Sequence, residues 1–334
     1  MTPNASFPCY LVEKDAVGQA SASIVSRTID DLPAGDVLIG VAWSSLKYKD
    51  ALSATGHPGV TRKFPHVPGI DAAGKVVDSS SARFAPGDPV LVTGYDLGSN
   101  HWGGYAGYVR VPAGWVVPLP AGLNLRESMI YGTAGFTAAQ CVDALEHHGV
   151  APDAGEIVVT GATGGVGSLA VAILARLGYR VVAVTGKPSA RSYLVDTLGA
   201  QRVVPREDVN DQSDRGLLAA RWAGAVDTVG SSTLATILRS TARGGCVTAC
   251  GLVGGAELPL TVYPFILRGV CLAGIDSAEC PLEKRIELWA KLADAWKPDC
   301  LAAIAQECGL AELPGRIQEI LAGRIQGRVL VRPG

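Results

Sequence analysis

The stretch Glu156–Thr185, EIVVTGATGGVGSLAVAILARLGYRVVAVT, constrains this chain more than any other. Ile157, Val158 and Val159 form a short apolar run stopped by Gly161, the mark of a buried strand. A glycine turn follows (Gly161, Gly164, Gly165, Gly167). Beyond it Val166, Leu169, Ala170, Ile173, Leu174 and Leu177 recur at three- and four-residue steps, giving one apolar helix face, and Gly178 stands at the C-terminal cap. A second buried strand covers Val181 to Val184. Strand, turn, helix and strand make a βαβ unit of about 30 residues, the size of a dinucleotide-binding module.

Glycines in such a turn let a pyrophosphate reach the amide N–H groups at the helix N-terminus, where the helix dipole favours negative charge. The pattern departs from G-x-G-x-x-G because Ala162 holds the second glycine's place. Taken alone, the turn also fits a protein that binds no nucleotide. Cofactor choice is written where the second strand ends. An acidic residue about 20 positions past the glycines would hold the ribose of NAD. Here stand Thr185, Gly186 and Lys187, with Arg191 close behind and no carboxylate before Asp196. Cations there suit a 2′-phosphate and point to NADPH; as bare solvated charges they would mean nothing.

At 334 residues the chain suggests two domains. A formal charge of −2 and 48% hydrophobic residues describe a globular protein without a basic surface for nucleic acid. No apolar run reaches the roughly 18 residues of a membrane span, and no leader pattern opens the chain, so a cytoplasmic location is expected. The eight cysteines include no CxxC pair and sit mostly in apolar contexts, as reduced core thiols do. Cys246 and Cys250, four apart in an apparent strand, share a face but read as core.

Up to about residue 125, short β-type runs (DVLIGVAW, GKVV, DPVLVT, GYVRV, WVVPLP) alternate with Pro and Gly clusters, predicting a compact, mostly antiparallel β domain. The first residues read as a frayed lead-in to a strand. A helix is expected from Glu127, stopping near Gly149. After the βαβ unit come a helix over PSARSYLVDTLG, strands QRVV and AVDTVG, a helix from Thr233 to Thr241 and strand CVTACGL: a doubly wound parallel sheet. EKRIELWAKLADAW reads as an amphipathic helix with Ile286, Trp289, Leu292 and Trp296 inward. A helix over LPGRIQEILAG and a strand RVLVRP finish the chain.

This order resembles the medium-chain dehydrogenase/reductase superfamily over essentially the whole length. Closer motifs are WSSLKYKDAL (Trp43–Leu52), FPHVPGIDAAG (Phe64–Gly74), NHWGG (Asn100–Gly104), IYGTAGFTA (Ile130–Ala138), PFILRGVCLAGIDS (Pro264–Ser277) and IQGRVLV (Ile325–Val331). Together they resemble the YhdH/AcuI-type acrylyl-CoA reductases, a zinc-free, NADPH-dependent branch. The resemblance implies an α/β fold: a GroES-like, mostly antiparallel β catalytic domain over 1–126, completed by 299–334, and a doubly wound Rossmann domain over 127–298. Zinc-containing relatives carry His and Glu where Ile70 and Asp71 stand, and no cysteine lies between Cys9 and Cys141, so no metal is expected.

The implied reaction is hydride transfer from NADPH to the β-carbon of acrylyl-CoA, giving propanoyl-CoA, with an acyl-CoA substrate and a homodimer. The alternatives are a quinone or enone reductase of the same superfamily and a catalytically silent NADPH-binding protein. The resemblance puts Tyr48 beside the nicotinamide; its other reading is packing. Lys47 stands where the family usually has asparagine, and either supplies charge to an enolate or points to solvent. Asp71, the third catalytic candidate, reads as a hydrogen-bonding anchor rather than an acid. Asn100 and His101 line a cleft or form a turn, and Arg62 and Lys63 are loop charges within reach of CoA phosphates or solvated. For the cofactor, the resemblance implies Thr163, Gly164, Gly165 and Val166 at the pyrophosphate, and Thr185, Gly186, Lys187 and Arg206 at the 2′-phosphate. Leu252, Ile266 and Ser277 fall around the nicotinamide half, and Arg324 beside Gly323 marks a last contact. LRGVCLAGID is the expected edge for dimer pairing.

Overall fold

The structure, a computed structural model, describes residues 6–334; the frayed lead-in, residues 1–5, lies outside the described residues. The chain forms two compact units: Met1–Thr133 with Ala278–Ala293 and Ile304–Gly334, and Ala134–Ser277 with Asp294–Ala303. The sequence-based boundaries differ from these units chiefly at Ala278–Ala293, which packs with the first unit.

The first unit opens with an antiparallel hairpin, β1 (Ser6–Lys14) and β2 (Ala20–Thr28). Then come β3 (Val37–Leu46), helix α1 (Tyr48–Ala54), β4 (Asp71–Ser79), β5 (Pro89–Thr93), β6 (Tyr108–Val111) and β7 (Val117–Pro118). Helix α2 (Leu125–His147) is broken at Gly132, where φ is 51° and ψ −156°; the unit boundary falls one residue later.

The second unit holds β8 (Glu156–Val159), α3 (Gly165–Arg176), β9 (Arg180–Val184), β10 (Arg202–Val204), β11 (Trp222–Asp227), α4 (Ser231–Ser240), β12 (Thr241–Ala249), α5 (Tyr263–Arg268) and β13 (Cys271–Gly274). Its six strands run parallel in the order β10-β9-β8-β11-β12-β13. The order reverses between β8 and β11, the switch point where such sheets open a crevice at the strands' carboxyl ends. Val158, Val182, Ala225 and Val247 build its core with Ile237 and Leu238 of α4. The helix expected over PSARSYLVDTLG divides into a 3-10 turn (Pro188–Ala190) and a wider turn (Tyr193–Thr197), in which the Leu198 N–H reaches the Tyr193 carbonyl at 3.0 Å.

The chain returns to the first unit with α6 (Leu282–Ala293), β14 (Ala305–Gly309), α7 (Leu313–Leu321) and β15 (Arg328–Arg332). Strand β15 pairs antiparallel with β3 and parallel with β14, so the tail completes a sheet ordered β14-β15-β3-β4-β5-β7, with β6 also on β3. On α6 the expected inward face needs correction: Ile286 is exposed, and Arg285, Leu288, Trp289 and Leu292 are buried. Arg285 turns inward because carbonyls await it. Its guanidinium donates to Thr93 O (2.7 Å) and Ala278 O (3.1 Å) and lies over the Tyr95 ring at 4.5 Å.

Candidate functional site

In the second unit β8 delivers the chain to Gly161, whose φ of 55° favours glycine. A Cβ on Gly167 would stand 2.3 Å from the Gly161 carbonyl oxygen, so only glycine lets the first turn of α3 pack against the loop. The helix begins at Gly165 after the cap residue Gly164, with no side-chain cap, and the first amides of a helix have no intrahelical partner. Across the switch point, Thr160 Oγ1 donates to Asp227 Oδ1 at 2.7 Å and the Gly230 amide donates to Oδ2 at 2.7 Å. Burial raises the Asp227 pKa, against those hydrogen bonds.

Thr185, Gly186, Lys187 and Arg206 meet at the end of β9. Thr185 is buried and its hydroxyl accepts the Lys187 amide at 3.1 Å. The Arg206 guanidinium lies against Gly186: a Cβ there would be 2.7 Å from Arg206 Nε. Partial burial, then the like charge of Arg206, lowers the Lys187 pKa. The end of β9 thus sets two cationic side chains, Lys187 and Arg206, beside Gly186. Thr163 is buried, whereas Leu252 and Ile266 stand exposed with Val253 and Val262. Ser277 accepts a hydrogen bond from Thr137 Oγ1 at 2.9 Å.

In the first unit a buried polar cluster joins β3, α1, β4, the break in α2 and β15. Lys47 Nζ lies 2.5 Å from Asp71 Oδ2, 3.3 Å from Asp50 Oδ2, and donates to the Ser45 carbonyl (3.1 Å) and hydroxyl (3.2 Å). Ser45 Oγ (2.6 Å) and the Thr133 amide (2.9 Å) also donate to Asp71 Oδ2, and Thr133 Oγ1 donates to Oδ1 at 2.5 Å. The break at Gly132 makes this approach possible: a Cβ there would stand 2.2 Å from Asp71 Oδ2. Arg328 donates to Ser45 Oγ (2.8 Å), Ile130 O (2.9 Å) and Leu46 O (3.3 Å). Asp50 accepts the Lys47 amide (2.8 Å) and the Ile70 amide (2.7 Å). Lys47 and Arg328 thus balance Asp50 and Asp71 in formal charge.

Burial pushes Asp71 up, but the Lys47 charge and the hydrogen bonds from Lys47, Ser45 and Thr133 outweigh it and hold its pKa below the usual carboxylate range. Asp50 goes the other way: burial, reinforced by the Asp71 charge, raises it despite Lys47 and the two amides. An ammonium has three donors, and Lys47 directs its own at Asp71 and Ser45. Lys47 does not point to solvent: its side chain is buried, with its ammonium against Asp71 and Ser45. Asp71 accepts hydrogen bonds from Lys47, Ser45 and Thr133. Tyr48, next in sequence, begins α1 with its ring half exposed.

Asn100 and His101 form a turn: Asn100 donates to Asp96 Oδ1 (2.9 Å), and His101 Nε2 bonds the Arg110 carbonyl (2.6 Å). Arg62, Lys63 and Arg324 are exposed, and Arg324 follows Gly323 at φ 65°. Sequence reasoning missed Ser45, Asp50, Thr133 and Arg328. All four lie inside motifs that it quoted, and the signal was a polar residue at a position that the strand or helix pattern sends inward.

Comparison with known proteins agrees with this architecture. The family described as alcohol dehydrogenase GroES-like domain matches residues 33–121, and that described as zinc-binding dehydrogenase matches 165–294. The chain is 48% identical to acrylyl-CoA reductase AcuI of Ruegeria pomeroyi, over 97% of this chain and 98% of the relative. It is 48% identical to the putative quinone oxidoreductase YhfP of Bacillus subtilis, over 98% of each. The solved structure of Escherichia coli YhdH with bound NADPH superposes with a TM-score of 0.93 at 49% identity, covering 98% of this chain and 100% of that one. The chain belongs to the medium-chain dehydrogenase/reductase family, in its YhdH/AcuI-type branch.

One family description implies zinc. The Lys47–Asp71 cluster does not fit that ion: its side-chain donors are two carboxylates and hydroxyls, with a lysine ammonium on Asp71 where a metal would have to sit and no thiolate or imidazole bonded into the set.

Proposed function

We propose that this protein reduces the carbon–carbon double bond of acrylyl-CoA to propanoyl-CoA with NADPH, without a metal. The observation that carries the reading is the Lys187–Arg206 pair against Gly186 at the end of β9, an anion site suited to the 2′-phosphate of NADPH, in a chain 48% identical throughout to an acrylyl-CoA reductase. When bound, the cofactor supplies hydride to the electrophilic β-carbon of the thioester. The protein's own work is to hold and orient. The Gly161–Gly165 loop and the α3 amides bind the pyrophosphate, and Lys187 and Arg206 hold the 2′-phosphate. Tyr48, half exposed, directly follows Lys47 of the buried cluster; in this reading its hydroxyl hydrogen-bonds the thioester oxygen as negative charge develops, and the α-carbon takes a proton from it or from water. Lys47, Asp71, Ser45 and Arg328 fix the turn from β3 into α1 that carries Tyr48, so they are positioning residues.

A quinone reductase is the second reading, favoured by the equal identity to YhfP, a relative whose solved structure is with NAD bound and superposes with a TM-score of 0.96. Incubating protein with acrylyl-CoA and NADPH, with NADH and a simple quinone in parallel, separates the two. Chelator-resistant NADPH oxidation dependent on the thioester supports the proposal, and turnover on the quinone alone overturns it. β13 ends the six-stranded sheet of its unit, so we propose it as the pairing edge of a homodimer. A one-chain mass by light scattering sinks that. No helix among the described residues is long and apolar enough to cross a membrane, and eight free cysteines accord with a reducing cytoplasm.

A further inference from the structure

A second cluster of ligating groups lies in the nucleotide unit, on strands β12 and β13 and the end of α2. Cys246 and Cys271 are direct partners across the parallel β12–β13 pair. His148 follows the last residue of α2 and brings Nε2 to 3.1 Å from Cys271 Sγ. The ligand atoms of His148, Cys246 and Cys271 all lie within 4.8 Å of one another, the one such triad of His, Cys, Asp or Glu among the described residues.

The tautomer of His148 is set. Its Nδ1 lies 2.8 Å from the Ala144 carbonyl oxygen. A carbonyl only accepts, so Nδ1 carries the proton and Nε2 presents its lone pair toward the thiols. This is the outer-shell arrangement that orients ligating imidazoles. In tetrahedral coordination with bonds of about 2.3 Å to sulfur and about 2.0 Å to nitrogen, sulfur and nitrogen stand roughly 3.6 Å apart and two sulfurs roughly 3.8 Å. The observed spacings need only small side-chain adjustments to reach these. Cys246 is buried, Cys271 half-buried and His148 exposed, which leaves an open side for a fourth ligand and for entry.

We propose that His148, Cys246 and Cys271 bind a thiophilic divalent cation of the zinc class, in a site separate from the hydride chemistry, where it staples the terminal strand β13 to β12 and α2. Two thiolates and an imidazole select such an ion over magnesium or calcium. Cysteine ligates a metal as the thiolate and histidine as the neutral imidazole. Binding therefore displaces thiol protons and strengthens as pH rises.

The test uses the full chain, reduced and stripped with chelator, titrated with Co²⁺ and then Zn²⁺. The expected result is one equivalent of Co²⁺ with a sulfur-to-cobalt charge-transfer band that Zn²⁺ bleaches, and a melting temperature that rises with Zn²⁺. Cys271→Ser and His148→Ala, at positions open enough to keep the fold by circular dichroism, should each weaken binding by more than the ~100-fold of an outer-shell change; Cys300→Ser should bind as the parent does. No charge-transfer band, or binding untouched by Cys271→Ser, overturns the site. So does a Cys246–Cys271 disulfide in protein purified without reductant whose reduced form takes up no metal.

Discussion

Replacing Lys47 by methionine tests the buried cluster most sharply. Methionine keeps the length and apolar stem of the side chain and removes the ammonium. Asp71 then loses its 2.5 Å partner and Asp50 its 3.3 Å partner, in a place where both carboxylates are fully buried. Breaking a buried pair from one side costs about 3–5 kcal/mol, because the remaining charge is stranded. At about 2–4 °C per kcal/mol for a domain of this size, the melting temperature should fall by roughly 6–20 °C. The pH dependence makes the reasoning specific. In the parent, Asp71 has a folded pKa below its unfolded value, so its stabilisation is present above the unfolded pKa and is lost as pH falls through the folded one. In the variant, Asp71 loses its bonded cation while Arg328 stays on Ser45 Oγ and two carbonyls, so burial raises its folded pKa relative to the parent's and acid protonates the folded state earlier, relieving the strain. The gap between parent and variant should be widest near neutral pH and narrow toward acid. Urea unfolding across that range, followed by circular dichroism, measures it. A variant within about 0.5 kcal/mol of the parent at neutral pH, or a gap indifferent to pH, refutes the assignment of Lys47 as the cation of the cluster.

Three further outcomes follow from the same geometry. Lys187→Ala or Arg206→Ala should weaken NADPH by about tenfold to hundredfold, the worth of one charge-assisted hydrogen bond, with NADH affinity unchanged by calorimetry; equal loss of both cofactors removes the 2′-phosphate assignment. His66 is buried and its pKa is pushed down to about 4 by burial, with His101 adding and a Gly98 backbone bond opposing. The unfolded imidazole takes its proton near 6.5 and the folded one refuses it until about 4, so stability falls as pH drops through that window, by on the order of 3 kcal/mol in all; His66→Gln should flatten that part of the acid-unfolding curve. Tyr48→Phe should lower kcat by about 10²-fold or more if the hydroxyl relays the proton and leave the melting temperature near the parent's, since the ring is half exposed; an unchanged kcat assigns the proton to water.

What the sequence discloses is what repeats locally. The β8–α3–β9 unit is legible because its apolar spacing and its glycines sit within thirty-odd consecutive residues, and the short strands of the first unit show by their Pro and Gly punctuation. The hairpin β1–β2 is not legible, because β2 (ASASIVSRT) is largely exposed and carries no inward stripe. Ile286 is exposed and Arg285 buried on α6, which hydropathy does not foresee because it ranks a guanidinium as solvent-seeking without knowing that Thr93 and Ala278 present carbonyls to it. The candidate site fails for the same reason at longer range. Lys47 is undecidable alone, since the partner that defines it lies 24 residues on in Asp71, and Ser45 is held by Arg328 across 283 residues. A buried charge is legible only together with its counter-charge, and counter-charges are chosen by the fold rather than by neighbourhood in sequence. The resemblance located these positions without their chemistry: it marked Lys47 as a departure from asparagine, whereas the structure accounts for it as the cation that two carboxylates require.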